Sequence, residues 1–348
     1  MVPRMGTGGS VETWEGRCGP KLAPAAGLLA FLALVPAIAA AEDPVAAEHP
    51  AATAEIRLER VIDNPTLAKK RKGAKLRRWI TGEAAPPVFH RPYGLAWEGE
   101  NLLVADPDAG RVVRVSARNR VATSPAGAFD APIGVAVCAG GIVVTDSHTG
   151  EVRLLGEDLE PVALIAAGLE RPTGVACHGE RIFVLETARH RVRVFETGDR
   201  SSDESWGRRG DGAGEFNFPV VAAWHDGTLW VGDTLNFRVQ QLDGEAGRAL
   251  KRFGRLGDAP GDMPRIKGLA FDDHGRLWVS DAHLDSVSLY TPEGTLLAHL
   301  GGATGGGGPF SFPAGIATHP DGRVAVADSF NRRVQVFRVS SAAPRRGE

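Results

Sequence analysis

Six residues of metal-binding type recur at one point of a repeated pattern. Glu98, Cys138, His178, His225, Asp272 and His319 each stand four positions after a glycine or its counterpart. Carboxylates, thiolates and imidazoles are the usual ligands of zinc and related ions. Gathered at one mouth of a channel, they would form a metal centre, with His178, His225, Asp272 and His319 as the candidates. The same position also opens a β-hairpin, where short polar side chains satisfy backbone groups of the turn. Ligand bonds of about 2 Å make it hard for separate units to share one ion. No cofactor is therefore expected, and a divalent metal is kept as the alternative.

A second set lies at the other end of the same strands: Arg91, Tyr93, Arg171, Arg265 and Lys267. Mixed charge beside an aromatic ring suits capture of a peptide, a glycan or a small anion. Arg111, Arg191, Arg238 and Arg333 each follow an acidic residue by five positions. They are expected to bond to those carboxylates or to turn carbonyls. Arg91, Arg171 and Lys267 have no such obvious partner in the sequence. His148 and His283 follow acidic positions by two residues and belong to this same end.

Three further signals carry less. The run KKRKGAKLRR (69–78) holds seven basic residues in ten. It suits an anionic surface or a partner, or a solvated segment that docks through Leu67, Leu76, Trp79 and Ile80. The glycine-rich stretch 301–310 leads into a strand, whereas a phosphate-cradling loop leads into a helix. Arg209-Gly210-Asp211 falls in a loop between units and is given no role.

The elements that position these residues are set by a repeat. Pro92, Pro132, Pro172, Pro219, Ile266 and Pro313 are spaced by 40, 40, 47, 47 and 47 residues. The acidic positions Asp106, Asp146, Glu186, Asp233, Asp281 and Asp328 keep nearly the same step. Each unit reads as alternating short strands joined by Asp/Gly/His hairpins. Periods of this size with several strands per unit are the mark of a radial β array. Alanine recurs two residues after the glycine position (Ala96, Ala136, Ala176, Ala223, Ala270, Ala317), usually followed by a larger residue. Small layers then meet large ones between wedge-shaped sheets.

The sixth unit ends at 333–339 without a fourth strand, while 55–62 (EIRLERVI) alternates like a strand without a unit. The N-terminal strand is therefore predicted to close the last blade, removing a free edge. Ahead of it, residues 22–41 are apolar and end in small residues, which reads as a secretory signal cleaved near Ala39–Ala41. An uncleaved anchor is the alternative. The predicted organisation is signal 1–41, N-terminal extension 42–87, propeller 88–340 and tail 341–348. Export would permit Cys138 and Cys177 to pair, but two cysteines make no disulfide scaffold, so two small buried apolar side chains is the expected reading and pairing the alternative. A formal net charge of −2 gives no whole-molecule argument for nucleic acid, and with export predicted no nucleic-acid partner is expected. A closed ring buries its core alone, so a monomer is expected. Membrane contact is expected only through 22–41 or the basic run.

The units resemble the NHL repeat, through Pro-x-Gly-Val-Ala, then Leu-x-Val-x-Asp, then Asn331-x-Arg333-Val334-Gln335-Val336-Phe337. Residues 88–340 are similar throughout to a six-bladed β-propeller of that family. The pattern departs at Val221, Ile266 and Glu186, and the asparagine recurs only at Asn236. The resemblance implies an all-β fold of four-stranded antiparallel blades. Its known functions are diverse: a zinc-dependent lyase on peptidyl-hydroxyglycine, extracellular sensor domains, RNA-binding modules, and metal-dependent lactonases among related propellers. The lyase would need three channel histidines with an arginine and a tyrosine, and no such set aligns in this chain. The expected function is that of an exported, non-catalytic binding or scaffold module for a protein, peptide or glycan, working through a channel mouth. A metal-dependent lyase or lactonase is the alternative.

Overall fold

The computed structural model describes residues 54–70, 86–197, 204–302 and 309–341. The apolar segment 22–41, residues 71–78 of the basic run and the tail 342–348 lie outside the described residues. Among the described residues, no helix is long and apolar enough to cross a membrane.

The strands form six four-stranded antiparallel sheets. In blade 2 the strands run outward as Pro132–Cys138, Gly141–Asp146, Glu151–Leu155 and Pro161–Ala166. The other blades repeat this order from Leu95, Pro172, Pro219 and Ile266. The sixth departs as expected: its three strands (Pro313–Thr318, Arg323–Asp328, Arg333–Ser341) take Ala54–Asp63 as the outermost. That strand pairs in register from Ala54↔Ser341 to Asp63↔Arg333, with one bulge between Leu58 and Arg60. Closure by a strand from the far end of the sequence is how the ring avoids an open seam.

After this strand a short helix, Asn64–Lys70, docks on the ring. Asp63 caps it by accepting from Thr66 N at 2.8 Å. The Asn64 side chain bonds Val88 N, Phe89 N and Phe89 O at 2.7–2.8 Å. Leu67 is wholly buried beside Ile62, Val88 and Phe89. Leu67 thus docks as the sequence suggested, whereas Leu76, Trp79 and Ile80 lie outside the described residues.

Six apolar clusters separate neighbouring blades, rather than one central core. The alanine layer sits in them: Ala176 of blade 3 packs with Leu229 and Val231 of blade 4. Around the axis the innermost strands press close. A Cβ on Gly94 would lie 2.2 Å from Ile133 O of the next blade, and one on Gly315 would lie 2.4 Å from Tyr93 O. Blade 4 carries Val221 at this point, and Gly232 behind it supplies the space, since a Cβ there would meet Val221 Cγ1 at 2.7 Å. The departure from Pro-x-Gly is thus compensated within the blade.

Candidate functional site

The acidic residue of each unit is a scaffold group. Its carboxylate accepts backbone N–H groups from the loop preceding the innermost strand: Asp106 from His90 and Arg91, Asp146 from Asp130, Glu186 from Glu170, Asp233 from Asn217, Asp281 from Arg265, and Asp328 from Ser311. All six are buried. Burial pushes the carboxyls of Asp233 and Asp281 upward, against the opposing pull of these amide donors. The arginines five positions on behave as expected. Arg191, Arg238 and Arg333 bond to Glu186, Asp233 and Asp328 at 2.6–2.9 Å, and Arg111 bonds the carbonyls of Pro87 and Val88. Asn236 and Asn331 reinforce the same carboxylates.

Sequence reasoning missed a second ring of bonds beside this one. Ser147, Thr187, Thr234 and Ser329, each directly after an acidic residue, donate to a carbonyl at the start of the next blade's innermost strand: Pro172, Pro219, Ile266 and Pro92. A hydroxyl at that recurrent position was the available signal.

At the hairpin end, the six metal-type residues turn to their neighbours. His178 stacks on Trp224 of the next blade (centroids 4.5 Å apart, planes 11°), and His225 stacks on Phe271 (4.1 Å, 6°). His319 meets Trp97 edge-on and pairs with Asp321 at 2.8 Å. Asp272 accepts from His274 N, Arg276 N and Nε, and Trp278 Nε1. Glu98 is held by Arg114. The sixth corrects the cysteine reading: Cys138 and Cys177 form a disulfide, with Cα atoms 5.5 Å apart. Cys138 occupies the hairpin position of blade 2, and Cys177 the position just before the hairpin in blade 3. His178–Trp224 and His225–Phe271 meet in the same relation. The cysteines are therefore a covalent version of an inter-blade contact, at a separation that suits a disulfide.

These contacts bear on whether a metal fits. His178, His225 and His319 lie against rings of neighbouring blades rather than converging. Among the described residues, one group of three potential ligands comes within 4.8 Å, namely Asp272, Asp273 and His274 in a single turn. Its oxygens are already taken by that turn and by Arg276 and Trp278. The six hairpin residues therefore do not converge on one ion, and the three-residue turn is held by its own hydrogen bonds.

The opposite mouth gathers the second set. All six innermost strands wall a cavity of about 70 Å³ on the channel axis, lined by glycine and aliphatic residues together with Tyr93 and Lys267. Tyr93 is the phenol and Lys267 the only charged side chain on this wall. Both are half-buried, and the charges of Arg171 and Arg265 act on both. Burial raises Tyr93 to about 12, against the lowering influence of Arg91, Arg171 and Arg265. Burial lowers Lys267 to about 8, assisted by Arg265 and Arg171 and opposed by Asp281. Arg91 pairs with Asp108 at 2.8 Å. The Arg265 guanidinium lies 5.6 Å over Phe312, whose ring stacks on the exposed Phe330 at 4.6 Å. Arg171 and Lys267 have no carboxylate bonded to them among the described residues. All five predicted residues thus meet at one mouth, and the Phe312–Phe330 platform beside Arg265 is an addition the sequence did not reveal. Arg171 and Phe312 hold positive φ (56° and 53°) directly before a proline, a costly conformation for residues with side chains.

Six four-stranded sheets around an axial channel define a closed β-propeller. The sequence profile of the NHL repeat matches residues 310–337, within the three inner strands of the sixth blade, so the propeller carries an NHL repeat there. No curated protein matches it. Among solved structures, the chain is similar to a catalytically inactive virginiamycin B lyase from Staphylococcus aureus with quinupristin (TM-score 0.54, 13% identity, 73% of this chain and 83% of that one). It is also similar to a gluconolactonase from Xanthomonas campestris (0.56, 18%, 72% and 87%). A Bacteroides thetaiotaomicron protein of unknown function is similar as well (0.59, 14%, 82% and 76%). At these identities the likeness shows the fold.

Proposed function

We propose that this chain is an exported binding propeller that captures an anionic group of a peptide or glycan partner at the mouth formed by Arg91, Tyr93, Arg171, Arg265 and Lys267. One observation carries the reading. The acidic residues nearest this mouth are buried and already occupied, Glu186 by Glu170 N and Arg191 and Asp281 by three backbone amides, which leaves the exposed Arg171 and the half-buried Lys267 without a bonded carboxylate. A half-buried cation without a counter-charge is costly unless a ligand supplies one. Phe330, stacked on Phe312, offers an exposed apolar face for a sugar ring or side chain beside that charge. Export is supported by the apolar run 22–41 and by the disulfide, since such bonds persist in oxidising compartments.

The test is calorimetric titration with a polyglutamate peptide and an oligogalacturonate, each against its uncharged counterpart, at low and physiological salt. Binding of the charged probe is expected, weakened by salt, and lowered by about tenfold or more when Arg91, Arg171 and Lys267 are all changed to alanine. Equal binding of the uncharged counterparts, or survival of binding in the triple variant, refutes the proposal.

A second reading, an enzyme of lyase or lactonase type with its site in the channel, is favoured by the fold likeness to virginiamycin B lyase and gluconolactonase. Against it, the cavity wall presents an amine and a phenol rather than ligands for a divalent ion. Chelator-sensitive hydrolysis of simple lactones would move the assignment to this reading.

A further inference from the structure

Lys267 stands apart from the other cations of the ring. Between residues 86 and 348 the chain uses arginine almost throughout, and only Lys251 and Lys267 are lysines. Lys251 lies on an outer strand, 4.0 Å from Glu293 and bonded to Pro292 O. Lys267 lines the axial cavity, and among the described residues nothing accepts from its amine. Asp281, the one acid that acts on it, spends its oxygens on the N–H groups of Arg265 (2.6 Å), His283 (2.9 Å) and Leu284 (3.0 Å). A purely structural cation in this ring would serve as well as arginine. What lysine alone supplies is an amine that can lose its proton.

We propose that the Lys267 amine condenses reversibly with the carbonyl carbon of a small 2-oxo acid, whose carboxylate is held by Arg171 and Arg265. This rests on the anion-binding reading above and names the ligand's reactive group. The neutral amine adds to the carbonyl carbon, and a proton passes from nitrogen to the carbonyl oxygen. The C–O bond of that adduct then breaks, the oxygen leaves as water with a second proton, and a C=N bond remains. No oxidant or reductant is required.

Three features of the site serve these steps. Burial and the flanking arginines lower Lys267 to about 8, so roughly a tenth of the amine is unprotonated at neutral pH, against well under one in a thousand for an ordinary lysine. Tyr93, on the same cavity wall, stays protonated and can donate to the departing oxygen. The cavity of about 70 Å³ suits a ligand of a few heavy atoms, with the amine and the phenol on its wall.

Glyoxylate is the probe. The purified protein is incubated with it at neutral pH, treated with sodium borohydride and mapped by peptide mass spectrometry. A reduced adduct is expected on Lys267 at about tenfold or more the level on Lys251 in the same sample. Arg171→Gln, at an exposed position, should lower labelling at Lys267 and leave Lys251 unchanged. Equal labelling of the two lysines, or none at Lys267, overturns the proposal. Calorimetric binding of glyoxylate in the Lys267→Arg variant separates the two claims. Binding without any trapped adduct in the parent protein sinks the covalent step and leaves the anion site standing, and loss of both removes both.

Discussion

Replacing Lys267 with methionine should stabilise the ring at neutral pH, by an amount that fades as pH rises. The folded protein holds this amine at about 8, against an ordinary lysine value of 10.5. Folding therefore expels part of a proton's affinity, and the sign follows directly. Below pH 8 both states are protonated and the penalty is fully present. Between 8 and 10.5 the unfolded chain binds more protons than the folded one, so stability climbs with pH. Above 10.5 the penalty is gone. At full strength the difference corresponds to about 3 kcal/mol. Lys267 is half-buried, and solvent screening reduces the figure to about 1–2 kcal/mol. Methionine fills a similar volume with a flexible apolar chain, so little packing is lost. For a ring of this size the gain amounts to about 2–4 °C in Tm at pH 6.5, and the gap between variant and parent should narrow by pH 9.5. Differential scanning calorimetry at the two pH values measures both. A variant that melts at or below the parent at pH 6.5, or a gap that does not change with pH, would show that the amine is not desolvated in the channel.

Three other outcomes follow from the same structure. Cys138→Ser, or reduction of the parent, opens a loop of 39 residues; the chain-entropy relation sets the loss at up to about 4 kcal/mol, read as a lower Tm with reductant that the variant itself no longer shows. Asp328→Ala strands donors from Ser311, Asn331, Arg333 and Gln335 and should cost about 3 kcal/mol or more in urea unfolding, whereas near-parent stability would deny the carboxylate its scaffold role. Deleting residues 54–63 removes the outermost strand of blade 6 and should leave an aggregating edge, detectable as a shift from the parent's elution volume to aggregate in size-exclusion chromatography; unchanged elution would show that three strands suffice.

The repeat in sequence was enough to determine the ring. Blade number, the acidic and arginine positions and the completion of blade 6 by residues near 55–62 could all be read from spacing, because each depends on local strand and turn chemistry repeated six times. The five mouth residues could be named for the same reason, since the spacing places them at one end of their strands. What spacing could not decide was which residues of neighbouring blades touch. Cys138 and Cys177 looked like two isolated thiols, and only the packing of blade 2 against blade 3 sets their Cα atoms 5.5 Å apart. His178 and His225 read as turn residues or, alternatively, as ligands, and the same packing lays them on Trp224 and Phe271. Val221 looked like a flaw until Gly232 was found behind it. The charge state of Lys267 belongs to this second group. A lysine in a sequence is an ordinary cation, and it becomes a weak base only where six strands close around it and two arginines share its space. Local pattern is written along the chain; desolvation and contact between blades exist only once the ring has closed.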